Sequence, residues 1–313
     1  MKLLMEKEGR MESTELRELA AVVERHTGED GDYSTAVSGL TLYRSSSRTN
    51  HNAVVYLPSL CVIVQGAKEV VVGGEAYRYD PAHSLLVSVD LPATTRIIEA
   101  SPDRPCLAVR VEIDSADVGE FLAEGTSVPS LGLPARGIGV TPVEPPLLGA
   151  ITRLIALLET PHDIGALAPL IFREITYRVL TGPQGVRLRQ IVAPGAPAQR
   201  IALAIGWLKD HFTEPARVEA LARRVGLSPS ALHLHFKAVT GLSPLQYQKQ
   251  FRLQEARRLM LSDGLDAAET AFKVGYESPS QFGREYRRLF GTSPRQDVAA
   301  LTAAGQSTRH SNV

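Results

Sequence analysis

The stretch GYESPSQFGREYRRLFGTSP, residues 275–294, decides how the second half of this 313-residue chain is to be read. Gly275 permits the left-handed backbone that ends a helix, Ser278 offers a hydroxyl to cap the next helix, and Pro279 stands at the favoured first helical position. Phe282 and Tyr286 then share one helical face, four residues apart, which leaves Ser280, Gln281, Gly283, Arg284 and Arg287 facing outward.

The same grammar occurs fifty residues earlier. Ser228, Pro229, Ser230, Leu232, Phe236, Lys237, Gly241, Ser243 and Pro244 recur as Ser278, Pro279, Ser280, Phe282, Tyr286, Arg287, Gly291, Ser293 and Pro294. Val225-Gly226 recurs as Val274-Gly275 one residue out of step, so the second unit has an extra residue in its turn. Two copies form a tandem pair rather than a solenoid, which needs three or more. In the first copy Val218, Leu221, Ala222 and Val225 line one face of a helix and Gly226 ends it. Leu232, Phe236 and Val239 pack the next helix back on it, leaving Ser230, His233, Leu234 and Lys237 outward. Each copy therefore has the logic of a helix-turn-helix. Pro244–Met260 reads as a helical spacer ending in Arg257-Arg258.

A helix presented in this way fits the major groove of double-stranded DNA, with side chains near its start on base edges and cations further along on phosphates. The expected base readers are Ser230, His233, Leu234, Ser280, Gln281 and Arg284, the last because a guanidinium donates two bonds to guanine. Lys237, Arg257, Arg258 and Arg287 are the expected phosphate contacts. The spacer puts the two reading helices about one DNA turn apart, roughly 34 Å. Charge distribution agrees: residues 200–296 carry 15 Lys+Arg against 9 Asp+Glu, whereas residues 1–198 carry 18 against 24. The alternative is a ligand-binding or oligomerisation module whose basic helices contact a protein partner, which would lack the steep salt dependence of phosphate binding.

The first half has another texture. Short β-rich runs follow one another at Leu40–Arg44, Leu60–Gln65, Val70–Val72, Ala76–Tyr79, Ser84–Val89, Thr94–Ile98 and Cys106–Ile113, separated by Gly, Pro and Asp. Seven such runs suggest a barrel or sandwich, with Gly73-Gly74 as a hairpin turn. A helix is expected at Thr14–His26. After a Pro- and Gly-rich interlude at Val128–Pro146, Leu147, Leu148, Ile151, Leu154, Ile155 and Leu158 form an apolar helical stripe, and Pro169–Leu180 continues as a second helix. The segment APGAPA, residues 193–198, is the best linker in the chain.

Val218–Pro294 resembles the DNA-binding domain of the AraC family of bacterial transcriptional regulators. Residues 275–294 match its signature and LHLHFKAVTG, residues 232–241, its first unit. Residues 38–114, with LPSLCVIVQG at 57–66 and LLVSVDLP at 85–92, resemble the cupin-like sensor domain of one AraC subgroup. The resemblance implies an α+β protein: an N-terminal cupin-like β-barrel with helical cover, then an all-α domain of two helix-turn-helix units. Residues 1–190 form the effector-binding and dimerisation domain, with an arm at 1–32 and helices at 144–181. Residues 191–198 are the linker, 199–297 the DNA-binding domain and 298–313 a flexible tail. It further implies a small-molecule effector, a homodimer and contact with RNA polymerase. Two departures stand out: Leu234 occupies a base-reading position that is polar or basic in the family, and Ala267 and Thr270 replace larger apolar residues, implying thin packing of the second unit's first helix.

Other function classes find little support. The longest apolar runs, Ser84–Val89 and Ile151–Leu158, are far shorter than the roughly 18 residues a membrane helix needs, and the start, at Met1 or Met11, does not read as a signal peptide. A cytoplasmic regulator without a membrane partner is expected. Cys61 and Cys106 lack disulfide or metal spacing. His51 and His83 are isolated, and His233 and His235 point to different helix faces, so no metal site, cofactor or enzyme activity is expected. The effector pocket is assigned to the barrel interior, with Arg96 as its charged residue and Tyr56, Cys61 and Tyr79 as its walls. Cys61 sits in an apolar run that favours an inert thiol. The dimer contact is assigned to Leu147, Ile151, Leu154, Ile155 and Leu158.

Overall fold

The structure, a computed structural model, describes residues 16–125 and 135–303. The two possible start methionines, the leading part of the Val128–Pro146 interlude and residues 304–313 of the expected tail lie outside the described residues. A first helix, α1 (residues 16–25), leads into β1 (Gly31–Ser34) and β2 (Leu40–Ser45). Then come β3 (Asn52–Tyr56), β4 (Ser59–Gln65), β5 (Ala67–Val72), β6 (Glu75–Tyr79), β7 (His83–Val87), β8 (Leu91–Glu99) and β9 (Cys106–Glu112). Helix α2 (Ser115–Ala123) and strand β10 (Ile138–Pro142) precede α3 (Pro145–Ala156), α4 (Ile164–Thr181) and α5 (Gly185–Val192).

All seven expected strands form. Strands β1, β3 and β10 join them, each gaining its partner only in the fold: β1 pairs with β2, β3 with β8, and β10 with β7. The strands make two antiparallel sheets, ordered β1-β2-β9-β4-β7-β10 and β3-β8-β5-β6. Gly73 and Gly74 both have positive φ, +58° and +85°, and link β5 to β6 through a two-residue turn of the kind whose twist suits a hairpin.

Alternation along the strands divides the core. On β9, Leu107, Val109 and Val111 face the helices, whereas Cys106, Ala108 and Arg110 face the opposite sheet. The helical side is filled by α1 through Leu19 and Val23, and by α3 and α4. Leu147, Ile151, Leu154 and Ile155 are buried there and Leu158 packs against them. The dimer contact expected of this stripe is therefore corrected: it covers the larger sheet of its own chain, at roughly 1.5–3 kcal/mol of burial for each large side chain. The segment read as an arm, residues 1–32, is likewise part of the body where it is described, since α1 is in the core and β1 is in the sheet.

The C-terminal half consists of α6 (Pro197–Asp210), α7 (Val218–Arg224), α8 (Pro229–Thr240), α9 (Pro244–Ser262), α10 (Ala267–Lys273), α11 (Pro279–Phe290) and α12 (Pro294–Ala303). Two expectations change here. Only residues 193–196 separate α5 from α6, and Ala196 and Ala198 are buried, so the linker is a packed corner. Residues 298–303 continue α12 rather than starting a flexible tail, and Val298 packs on the second unit's core. One apolar cluster runs without a break from Ile63, Leu85 and Val87 of the sheets to Ile201, Leu221, Phe236 and Val239 of the helices.

Candidate nucleic-acid interface and the interior cluster

Both helix-turn-helix units have the local chemistry that their sequence calls for. Gly226 and Gly275 end α7 and α10 with φ of +67° and +85°. The Ser228 hydroxyl accepts from the Ala231 amide at the start of α8, and that of Ser278 from the Gln281 amide at the start of α11. Leu232, Phe236 and Val239 are buried on α8, and Phe282 and Tyr286 on α11. The thin packing expected around Thr270 is not seen. Thr270 is fully buried with its hydroxyl donating to the Asp266 carbonyl at 2.6 Å, and Tyr276 is buried in the core of the same unit, its ring centroid 5.4 Å from that of Phe282.

The outward faces are left free. Ser230, His233, Leu234 and Lys237 on α8 are exposed, as are Ser280, Gln281, Arg284 and Arg287 on α11. Gln281 donates to Glu285 at 3.2 Å, while among the described residues nothing ties down the side chains of Arg284 and Arg287. The spacer α9 is 19 residues long, about 28 Å at the rise of an α-helix.

Arg257 and Arg258 do not belong to this face, and their assignment to phosphates is corrected. Arg257 is largely buried. Its guanidinium donates to Asp297 at 2.8 and 3.0 Å, to Asn52 Oδ1 and to the Ala53 carbonyl, and lies 4.6 Å from the Phe290 ring centroid. It ties the second unit to β3. Arg258 is part-buried and forked onto Glu255 of its own helix, with its shortest bond at 2.7 Å. Asp297 lies forty residues from Arg257, a pairing that helical spacing does not show, whereas Glu255 stands three residues before Arg258 on the same helix.

Further ties join the halves. The Gly137 amide donates to the Val239 carbonyl at 2.8 Å, and Arg136 donates to the Lys237 carbonyl and to Glu75. Asp90 receives Lys209 at 2.5 Å through its carboxylate and the Tyr247 hydroxyl at 3.0 Å through its carbonyl. The hairpin tip at Gly73 touches Gly241, where a Cβ on Gly241 would stand 2.8 Å from the Gly73 Cα.

Of the four residues assigned to the effector pocket, three come together between the sheets. Tyr79 and Cys61 are buried there, Tyr56 is part-buried with its hydroxyl 3.3 Å from Thr95 Oγ1, and Cys106 lies beside them. Arg96 is corrected. Leu91, Ala93 and Ile97 take the inward positions of β8, so Arg96 points out and donates to Glu69 at 2.7 Å. Its place is taken by two cations that the sequence reading passed over. Lys68 is in phase with inward Val70 and Val72 on β5, and Arg110 with Cys106 and Ala108 on β9. The Lys68 ammonium lies 4.4 Å from the centroid of the Tyr43 ring. Burial works to lower its pKa, but Tyr56, Tyr43, Asp32 and Cys106 outweigh it, so the amine is held above its ordinary value and stays charged. Burial pushes the Cys61 thiol up and that of Cys106 up to about 11. Among the described residues no group of three His, Cys, Asp or Glu is placed to hold a metal ion, and no single helix is long and apolar enough to cross a membrane.

Comparison with known proteins follows this division of the chain. Residues 36–187 match the AraC-type transcriptional regulator N-terminus and residues 221–299 match a helix-turn-helix domain. The chain belongs to the AraC family of transcriptional regulators. Among curated relatives of this AraC-family chain is the HTH-type transcriptional activator RhaS of Escherichia coli strain SE11, 35% identical over 150 residues, 48% of this chain and 53% of RhaS. RhaS of Escherichia fergusonii is 39% identical over 97 residues, 31% of this chain and 35% of that protein. The matches thus span about half the length of the first of these relatives and about a third of the second. ToxT of Vibrio cholerae O395, solved with (E)-4-(8-methylnaphthalen-1-yl)but-3-enoic acid, has the same fold. It superposes with a TM-score of 0.58 at 12% identity, over 84% of this chain and 98% of ToxT.

Proposed function

We propose that the protein is a sequence-specific DNA-binding transcriptional regulator whose N-terminal sheets receive a small-molecule effector. The observation that carries the DNA reading is the free face of α11, where Ser280, Gln281, Arg284 and Arg287 are exposed on a helix whose other face is locked by Phe282 and Tyr286. Leu234, 65% exposed on α8, suits apolar contact with thymine methyls better than hydrogen bonding. Lys237 and Arg287 are then the phosphate contacts.

The ties of Arg136, Gly137, Asp90 and Arg257 give the sheets a direct hold on both units, so an effector that favours one arrangement of the halves shifts how the reading helices are presented. ToxT, which shares the fold, has been solved with an unsaturated fatty acid bound. The homodimer is assigned to the outer face of α4, where Leu167, Leu170 and Tyr177 are exposed. RNA polymerase is the partner that such a regulator would meet in the bacterial cytoplasm.

The test is a binding titration on DNA from upstream of its own gene and on random duplex. Arg284→Ala weakens binding to the cognate fragment about tenfold and random DNA hardly at all, since one bidentate base contact contributes about 1–3 kcal/mol of discrimination. Equal losses on both DNAs overturn the base-reading role. A binding constant that is flat in salt overturns DNA as the partner.

A further inference from the structure

From the cluster between the sheets we infer that the effector is an anion, its carboxylate or similar group held by Lys68 and Arg110 and flanked by the Tyr43 and Tyr56 rings. The inference rests on the effector reading above and names the ligand class. Three observations converge on it. First, both cations stand on inward strand positions, in phase with Val70 and Ala108, where a hydrophobic side chain would pack at no electrostatic cost. Second, neither has an ion-pair partner among the described residues. Arg110 spends one nitrogen on Thr41 Oγ1 at 3.0 Å while its Nε is buried with no hydrogen-bond partner, and Asp32 acts on Lys68 only from beyond ion-pair distance. Third, Lys68, Arg110, Tyr43 and Tyr56 are part-exposed although they face inward, so the space between the sheets opens to solvent beside them, whereas Tyr79, Cys61 and Cys106 close it behind.

Two unpaired cations held in a part-buried crevice cost stability unless something negative completes them. A carboxylate does so with a guanidinium fork and an ammonium donor, and the apolar remainder of the ligand lies against Tyr43, Tyr56 and Ile97. A neutral ligand accepts hydrogen bonds there but leaves both charges uncompensated, and a cationic one is repelled.

The test is thermal melting of the full-length chain, without DNA, in the presence of acetate, benzoate or octanoate, each set against its uncharged primary amide. At least one carboxylate raises the melting temperature beyond its amide. In Lys68→Met that difference vanishes, or its half-saturation weakens by about tenfold or more, as expected on losing a charge-assisted bond. Lys68→Arg keeps the response. Arg78→Gln, on the outer surface, leaves it intact. The ligand-free Lys68→Met protein melts no lower than the parent, because an inward-facing cation without an ion-pair partner has been replaced by an apolar chain of similar length. A carboxylate that does no better than its amide overturns the proposal, as does a Lys68→Met protein that melts lower and still responds, which would make Lys68 a structural partner of Tyr43. Because no DNA is present, these outcomes are independent of whether the DNA reading holds.

Discussion

Replacing Arg257 by alanine tests most directly how the two halves are joined. The Arg257 and Asp297 side chains are only 11% and 10% exposed. Without the guanidinium, the Asp297 carboxylate keeps the Tyr286 hydroxyl at 2.7 Å as its side-chain donor, and Asn52 and the Ala53 carbonyl on β3 lose theirs. Removing one partner of a buried ion pair costs about 3–5 kcal/mol, or two to three and a half decades in the ratio of folded to unfolded protein at about 1.4 kcal/mol per decade. The control is Arg258→Ala. Its Glu255 partner lies three residues away on the same helix, both side chains are part-buried, and helical pairs at that spacing contribute about 0.5 kcal/mol or less. Urea denaturation followed by circular dichroism reads both. The same proteins are then titrated with duplex DNA at several salt concentrations. A phosphate contact contributes about 0.9 to the logarithmic salt slope, and Arg257→Ala leaves that slope unchanged because its side chain faces Asp297 and β3. Unaltered stability together with a slope reduced by about one unit would refute the reasoning and return Arg257 to the DNA.

Gly241 and Gly291 are equivalent in the repeat, with φ of +77° and +79°, yet Gly291 has open space around it whereas Gly241 meets the hairpin tip. Gly291→Ala loses about 1–2 kcal/mol to left-handed strain. Gly241→Ala loses more and loosens the contact between halves, seen as faster exchange of the Gly137 amide, which donates to the Val239 carbonyl across it. Leu170→Asp, at a site 64% exposed on α4, yields a folded monomer by light scattering, whereas Ile151→Asp, fully buried, yields little folded protein; a dimeric Leu170→Asp protein removes α4 from the interface. With both thiols raised by burial, Cys61 and Cys106 stay protonated at pH 8 and react with a thiol reagent only as fast as the chain unfolds; rapid labelling of native protein contradicts that.

The helix-turn-helix units were legible because their determinants are local. A left-handed glycine, a capping serine, a first-turn proline and apolar residues at helical spacing act within a dozen residues, and a repeat at one offset states them twice. The seven main strands were legible through alternation bounded by turn residues. Strands β1, β3 and β10 were not, since a strand that lacks a strong pattern forms only where a neighbour supplies its hydrogen bonds. The apolar stripe of α3 was correctly read as needing cover, but an amphipathic face does not say whether the cover is a second chain or the sheet of its own.

Charged residues divide in the same way. Arg284 and Arg287 follow from helical phase alone and stand on the exposed face of α11. Arg257 lies on an equally regular helix, but Asp297, forty residues away, and Asn52, two hundred and five residues away, claim its guanidinium. Lys68 and Arg110 were within reach of strand parity, being in step with Val70 and Cys106, yet their strands do not touch in sequence, and only the stacking of two sheets brings both cations to act on Cys61. What the chain declares on its own is chemistry settled within a turn or two of backbone. Which cations are spent inside the molecule and which are left for a ligand depends on long-range partners, and those exist only once the tertiary structure has formed.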